Sequence, residues 1–173
     1  MKTIFLTIIS GPHTPDILSE LAAHSRAAGA EWLVSKFITL DGHFTAMMRV
    51  TIDQEKEEAL KQSLEAQFAQ LSFSNISTPS DQLLPGSTVI MEIDCLDRTG
   101  LTRDINELFA SRGISIENME STRHPIGSIT STVYSTRITL SAPKQIDSTE
   151  LGQQIEAGSP QVKVKIISDE TAG

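Results

Sequence analysis

The chain has 173 residues, 14 Lys and Arg against 22 Asp and Glu, a formal net charge of −8, and one cysteine. The acidic excess is even, with 6 basic against 10 acidic residues up to position 86 and 8 against 12 beyond it. There is no cationic stripe to neutralise phosphates, so direct nucleic-acid binding is not expected, and the lone Cys95 excludes an internal disulfide and reads as a small buried apolar residue.

The start, Met1-Lys2-Thr3 followed by apolar residues to Ile9, mimics a charged leader with a short hydrophobic core. Its β-branched content suits a buried strand over residues 4–9, which Gly11-Pro12 is expected to end. Thr14 is placed to cap a helix, Pro15 to occupy its first position, and Asp16 to favour its positive end. Ile17, Leu18, Leu21 and Ala22 then form one apolar face, and Gly29 stops the helix. Residues 32–40 read as a strand, Asp41-Gly42 as a hairpin turn, and residues 44–52 as the returning strand. The longest predicted helix covers 54–71, with Ala59, Leu60, Leu64, Phe68 and Leu71 on one face. A weak strand over 72–78 follows, and two prolines and a glycine in 79–87 read as a linker.

The same order then restarts. Val89, Met91, Ile93 and Cys95 alternate with Ile90, Glu92 and Asp94, and Leu101, Ile105, Leu108 and Phe109 fall at helical spacing. Strands are predicted over 114–122 and 129–140, separated by the breaker His124-Pro125-Ile126-Gly127. A short helix over 149–157 and an alternating strand at Val162, Val164 and Ile166 complete the copy, and a loose tail is expected over 169–173. A shift of 84 lays Asp97-Arg98-Thr99-Gly100-Leu101 over His13-Thr14-Pro15-Asp16-Ile17, Ile105 over Leu21 and Gly113 over Gly29. A shift of 88 lays Arg137-Ile138-Thr139-Leu140 over Arg49-Val50-Thr51-Ile52.

The repeat divides the chain into domains over 1–78 and 88–168. Each spells βαββαβ, an α+β ferredoxin-like plan with two helices on one face of a four-stranded antiparallel sheet. Domains this small bury thin cores, so packing between chains is expected, in a homodimer. The second copy's first strand lies mid-chain, so the matching N-terminal run reads as a strand too. No other apolar run approaches the ~20 residues that span a bilayer. These features predict a soluble, cytoplasmic protein with no membrane association.

The fold plan hosts many functions, so function has to come from sites. His13, His24, His43 and His124 are scattered without metal-ligand spacing, and no nucleophile elbow, Walker loop or dinucleotide fingerprint occurs. No metal, cofactor or catalytic role is expected. RNA-recognition domains share the topology but need stacking aromatics on the central strands, where the second copy offers only Tyr134.

The turn Asp97-Arg98-Thr99-Gly100-Leu101 joins a strand to a helix start, where unpaired N–H groups and the helix dipole favour an anion. Gly100 has no Cβ to keep a ligand from the backbone, and Asp97 can accept from a cation. A small amino acid supplies both charges. The same five residues also read as an ordinary helix start, capped by Asp97 or Thr99.

These paired units, with the first turn Asp97-Arg98-Thr99-Gly100 of Asp-Arg-x-Gly type in the second copy and a closing glycine, Gly29 or Gly113, in each, resemble tandem ACT domains, specifically the glycine cleavage system transcriptional repressor group. The resemblance covers about residues 3 to 168. It implies a non-catalytic sensor of a small amino acid, with glycine as the ligand the group suggests, that dimerises and contacts a transcriptional activator instead of DNA. Carried onto this sequence, the binding positions are Asp97, Arg98, Thr99, Gly100 and Leu101, with Ser115 and Asn118 on the next strand as polar partners. The first copy departs from the pattern: His13-Thr14-Pro15-Asp16 lacks the acceptor, the cation and the glycine, and Asp16 would repel an anion from the helix start. Ligand is therefore expected in the second copy. Two other readings compete: a ligand-independent docking or dimerisation module, and an acylphosphatase-type enzyme holding phosphate through Arg98.

Overall fold

A computed structural model describes residues 1–77, 86–126, 132–158 and 161–171. The chain divides into two units, Met1–Gln82 and Leu83–Gly173. Unit 1 runs β1 (Lys2–Pro12), α1 (Ile17–Ala27), β2 (Glu31–Leu40), β3 (His43–Asp53), a 3-10 turn (Gln54–Lys56), α2 (Glu57–Gln67) and β4 (Ser72–Ser77). Unit 2 runs β5 (Ser87–Leu96), α3 (Leu101–Ala110), β6 (Ser115–Pro125), β7 (Thr132–Ala142), α4 (Ser148–Ala157) and β8 (Lys163–Thr171). The sheets are antiparallel, ordered β2-β3-β1-β4 and β6-β7-β5-β8. Both units are ferredoxin-like βαββαβ folds.

Period-two alternation on the central strands decides where each core sits. In unit 1, Phe5 and Ile9 of β1 and Ala46, Met48, Val50 and Ile52 of β3 are buried with Ile17 and Leu21 of α1 and Leu60 and Leu64 of α2. In unit 2, Val89, Met91, Ile93 and Cys95 of β5 and Tyr134, Ile138 and Leu140 of β7 meet Leu101, Ile105 and Phe109 of α3 and Leu151 and Ile155 of α4. The β2–β3 hairpin turns through Asp41 and Gly42 at φ 48° and 74°. Two successive positive φ values match the right-handed twist of the flanking strands, which is why Asp-Gly stands there.

Several expected boundaries move. β1 continues through Gly11 and Pro12, which align with Phe44 and His43. Its pairing to β4 has already ended at Ser10, so a residue without an N–H is tolerated there. Residues 13–16 are then spent on the turn, and α1 starts at Ile17 instead of Pro15, with Asp16 rather than Thr14 as N-cap. The expected helix over 54–71 is a 3-10 turn followed by α2, which ends at Gln67. Phe68 leaves helical geometry at φ −116°, ψ 56°. Phe68 and Leu71 are still buried, so a turn folding back on the core had imitated the helical period.

β6 runs through His124 and Pro125, aligned with Val133 and Thr132, because it is an edge strand and proline is tolerated at an edge. Residues 169–171 of the tail expected to be loose belong to β8, whose Thr171 aligns with Ser87, and residues 172–173 fall outside the described residues. Ser87, assigned to the linker, lies in β5, and residues 79–85 of that linker, with residue 78 of the strand expected before it, fall outside the described residues. Gly127 and Ile129 also fall outside them. α4 is regular, with Asp147 as its cap accepting from the Glu150 N–H at 2.9 Å. Ile93 is fully buried at the centre of the second core. Ile93→Ala is expected to lower stability by about 2–5 kcal/mol, read from the shift of a urea unfolding midpoint.

Candidate functional site

The turn between β5 and α3 is fixed at both ends by main-chain hydrogen bonds. The Asp97 N–H donates to the Thr132 carbonyl at 2.8 Å, and the Asp104 N–H donates to the Gly100 carbonyl at 3.0 Å, opening the helix. Gly100 is the N-cap at φ 85°, in the left-handed region where a side chain is strained. Having no side chain, it cannot cap the helix itself, and it leaves the first turn's backbone approachable. The Leu101 N–H makes a long contact of 3.3 Å to the Arg98 carbonyl. In front of the turn lies an open cavity of about 390 Å3, lined by Arg98, Thr99, Gly100, Leu101 and Thr102, with Asp97, Arg103 and Arg123 at its charged edges.

The charges around this cavity are already arranged in pairs. Asp97 does not cap the helix: its carboxylate accepts from the Arg123 Nε at 2.8 Å. Arg123 comes from β6, and its guanidinium lies 5.0 Å from the centre of the Tyr134 ring. Arg98 Nη2 stands 2.7 Å from Asp104 Oδ2, and Arg103 adds weaker contacts to Asp104 at 3.4 Å and Glu107 at 3.7 Å. The Arg98 hydrogen bond holds the Asp104 carboxyl below the usual carboxylate range, against a smaller opposing effect of desolvation. The cavity edge thus carries the guanidiniums of Arg98, Arg103 and Arg123, each already facing a carboxylate of Asp97, Asp104 or Glu107. Beneath it, Cys95 is buried, and that burial, reinforced by Asp97, pushes its thiol pKa up.

Comparison with known families matches residues 3–75 to the ACT domain, and residues 89–145 to the ACT domain a second time. The chain belongs to the ACT-domain family. ACT domains serve regulation and generally bind amino-acid ligands, so the coarse role is a regulatory one. Among solved structures, a protein of unknown function from Galdieria sulphuraria superimposes with TM-score 0.79 at 13% identity, over 97% of this chain and 100% of that one. A candidate glycine cleavage system transcriptional repressor superimposes with TM-score 0.75 at 17% identity, over 99% of each chain. At such identities the likeness establishes the fold alone. No curated protein matches the chain.

Within the second ACT unit, Asp97, Arg98, Thr99, Gly100 and Leu101 come together around the cavity, whereas Ser115 and Asn118 do not. Asn118 stands in the row of Thr139 and Ile90, and Ser115 in the row of Ser141 and Thr88. They therefore lie about 20 and 26 Å along the sheet from Leu96, the residue that leads into the turn. The Asn118 side chain donates to Glu120 at 3.1 Å. The unit instead supplies Arg123 and Arg103. Arg103 is one helical turn into α3 and could have been read from spacing, but Arg123 is brought in only by the β6–β7 register.

In the first ACT unit, Asp16 stands at the N-cap of α1 without a side-chain capping hydrogen bond, and the cap expected of Thr14 is not made either. What occupies the corresponding turn is His13, tilted against Phe37 at 6.1 Å, with Phe37 stacked on Phe44 at 5.1 Å. Tyr134 is buried in the second core, with its hydroxyl 2.9 Å from Ser121, so it cannot stack a nucleobase. Among the described residues, no group of His, Cys, Asp and Glu could hold a metal ion, and no helix is long and apolar enough to cross a membrane.

The Asp104 shift has a testable sign. A depressed carboxyl pKa makes the Arg98–Asp104 contribution present above the ordinary Asp value and lost as pH falls through the lowered one. Arg98→Gln is expected to return the Asp104 titration midpoint toward the usual range, followed by carboxyl 13C NMR. An unchanged midpoint would show that Arg98 is not its cause.

Proposed function

We propose that this protein is a non-catalytic regulator that binds a small amino acid at the first turn of its second ACT unit and acts through contact with a transcriptional regulator. The carrying observation is the open cavity against Gly100, where a positive-φ glycine, a helix start and three guanidiniums surround the same space. The ligand carboxylate meets the helix N-terminus and the guanidiniums. Its ammonium shares Asp97 with Arg123, so the Asp97 pair loosens on binding instead of standing vacant beforehand. Glycine is the leading candidate because of the resemblance to glycine cleavage repressors and the shared fold of one such candidate structure. The His13-Thr14-Pro15-Asp16 turn, holding a histidine ring and an unpermissive backbone, supports assigning the ligand to unit 2.

Ser115 and Asn118 can join this site only from a second copy. β6 is an edge strand, and two such edges pairing antiparallel would set the Asn118 end of one beside the Arg123 end of the other. This geometry supports a homodimer whose ligand sits between chains. Sedimentation equilibrium at micromolar concentration is expected to return a dimer, and a monomer would remove Ser115 and Asn118 from the site.

A thermal-shift screen of the common amino acids on the full chain tests the sensor reading. A ligand at 100 times its Kd should stabilise the protein by about 2.7 kcal/mol. Gly100→Asp should abolish that shift, because aspartate tolerates the left-handed backbone but places a carboxylate in the cavity. The docking-module reading is favoured by one observation: Asp97–Arg123 and Arg98–Asp104 are satisfied without any guest. A flat screen with the unaltered chain would decide for it.

A further inference from the structure

The two units treat the seam between their helices differently. In unit 1, His24 of α1 lies 2.9 Å from the Ser63 hydroxyl of α2, and its ring meets the Phe68 ring edge-on at 5.9 Å. These groups close the seam above the sheet. The 84-residue shift places Leu108 at the position of His24. The strand registers, Ile9 with Phe73 and Ile93 with Val164, place Gln154 at the position of Ser63. Leu108 has no polar group to reach across. Gln154 turns along its own helix, donating to Glu150 at 2.8 Å and accepting from Arg112.

The result in unit 2 is a partly open cleft of about 250 Å3 between α3 and α4, with Ile93, Ile105, Leu108, Ile155 and Val162 among its walls. A dry apolar cavity of about 150 Å3 suffices for benzene, so this volume accommodates a branched aliphatic or aromatic side chain. Arg98 and Asp104, 2.7 Å apart, also line it and make its polar edge. A guanidinium has five donors and a carboxylate about four acceptor sites, so one contact between them leaves both able to bond further. The pair offers a carboxylate its cation and an ammonium its anion. A ligand with a carboxylate alone would meet Asp104 as a like charge.

We propose that this inter-helical cleft is a second ligand site, which takes the side chain of an apolar amino acid and holds its charged head at Arg98 and Asp104. It shares Arg98 with the turn site but differs from it in the apolar walls of Ile93, Ile105, Leu108, Ile155 and Val162, which glycine has no side chain to reach. In unit 1 the same place holds the His24 ring against Ser63 and Phe68, so the site is assigned to unit 2.

The test uses the full chain with L-leucine as probe. L-leucine is expected to raise the melting temperature and to give intermolecular NOEs from its methyl groups to those of Ile105, Leu108 and Ile155. Leu108→Trp, which fills the cleft, should abolish both effects and leave any glycine response unchanged. Absence of those NOEs from the unaltered protein overturns the proposal, whether or not the variant folds. A leucine response that survives Leu108→Trp overturns it as well. Loss of the glycine response in Gly100→Asp bears on the turn alone, so the two sites fail separately.

Discussion

The site in the second unit depends on the register between β6 and β7. Arg123 aligns with Tyr134, and Tyr134 with Cys95, so the guanidinium reaches the helix-covered face two residues from Asp97. A slip of one residue would turn Arg123 to the opposite face, leaving Asp97 without its 2.8 Å partner. The register is in turn held by buried side chains: Tyr134, Ile138 and Leu140 must all point at α3 and α4. The core therefore positions the electrostatics at its own edge. The Ser121 hydroxyl, 2.9 Å from both the Tyr134 and Thr136 hydroxyls, ties the edge strand to that same row.

Two copies of one fold have been put to different uses by a few side chains. The open face of the first sheet carries exposed Val34, Ile38, Met47 and Ile76. The matching face of the second carries Glu92, with Arg137 at 3.5 Å and Lys165 at 3.9 Å. The first copy sets His13 against Phe37 at its turn and His24 against Phe68 at its helix seam. The second leaves space at both places. His13 and His24 lie at a turn and a helix seam, whereas Phe68 belongs to the first core, so the seam contact is anchored in buried structure.

Much of the fold was legible in the sequence. The central strands alternate strictly, the helices carry apolar faces, and Asp41-Gly42 can hardly be anything other than a hairpin turn. Boundaries were less legible, for identifiable reasons. Pro12 and Pro125 read as breakers because their tolerance depends on whether a neighbouring strand needs the missing donor, which is a property of sheet order. Phe68 and Leu71 extended a helix on paper because a turn returning to the core can mimic a period of 3.6. The five residues of the β5–α3 turn were also legible, since a local strand-to-helix junction exposes its own amides.

The sequence alone determined the duplication and the fold of each copy, because both are written in short-range spacing. Tertiary structure decided the rest of the site: Arg123 as the partner of Asp97, the separation of Ser115 and Asn118 from the turn, and the cleft beside Leu108. Those facts depend on strand register and helix packing, which join residues far apart in the chain. Charge pairing and empty volume are properties of that joined arrangement, and no local pattern of residues carries them.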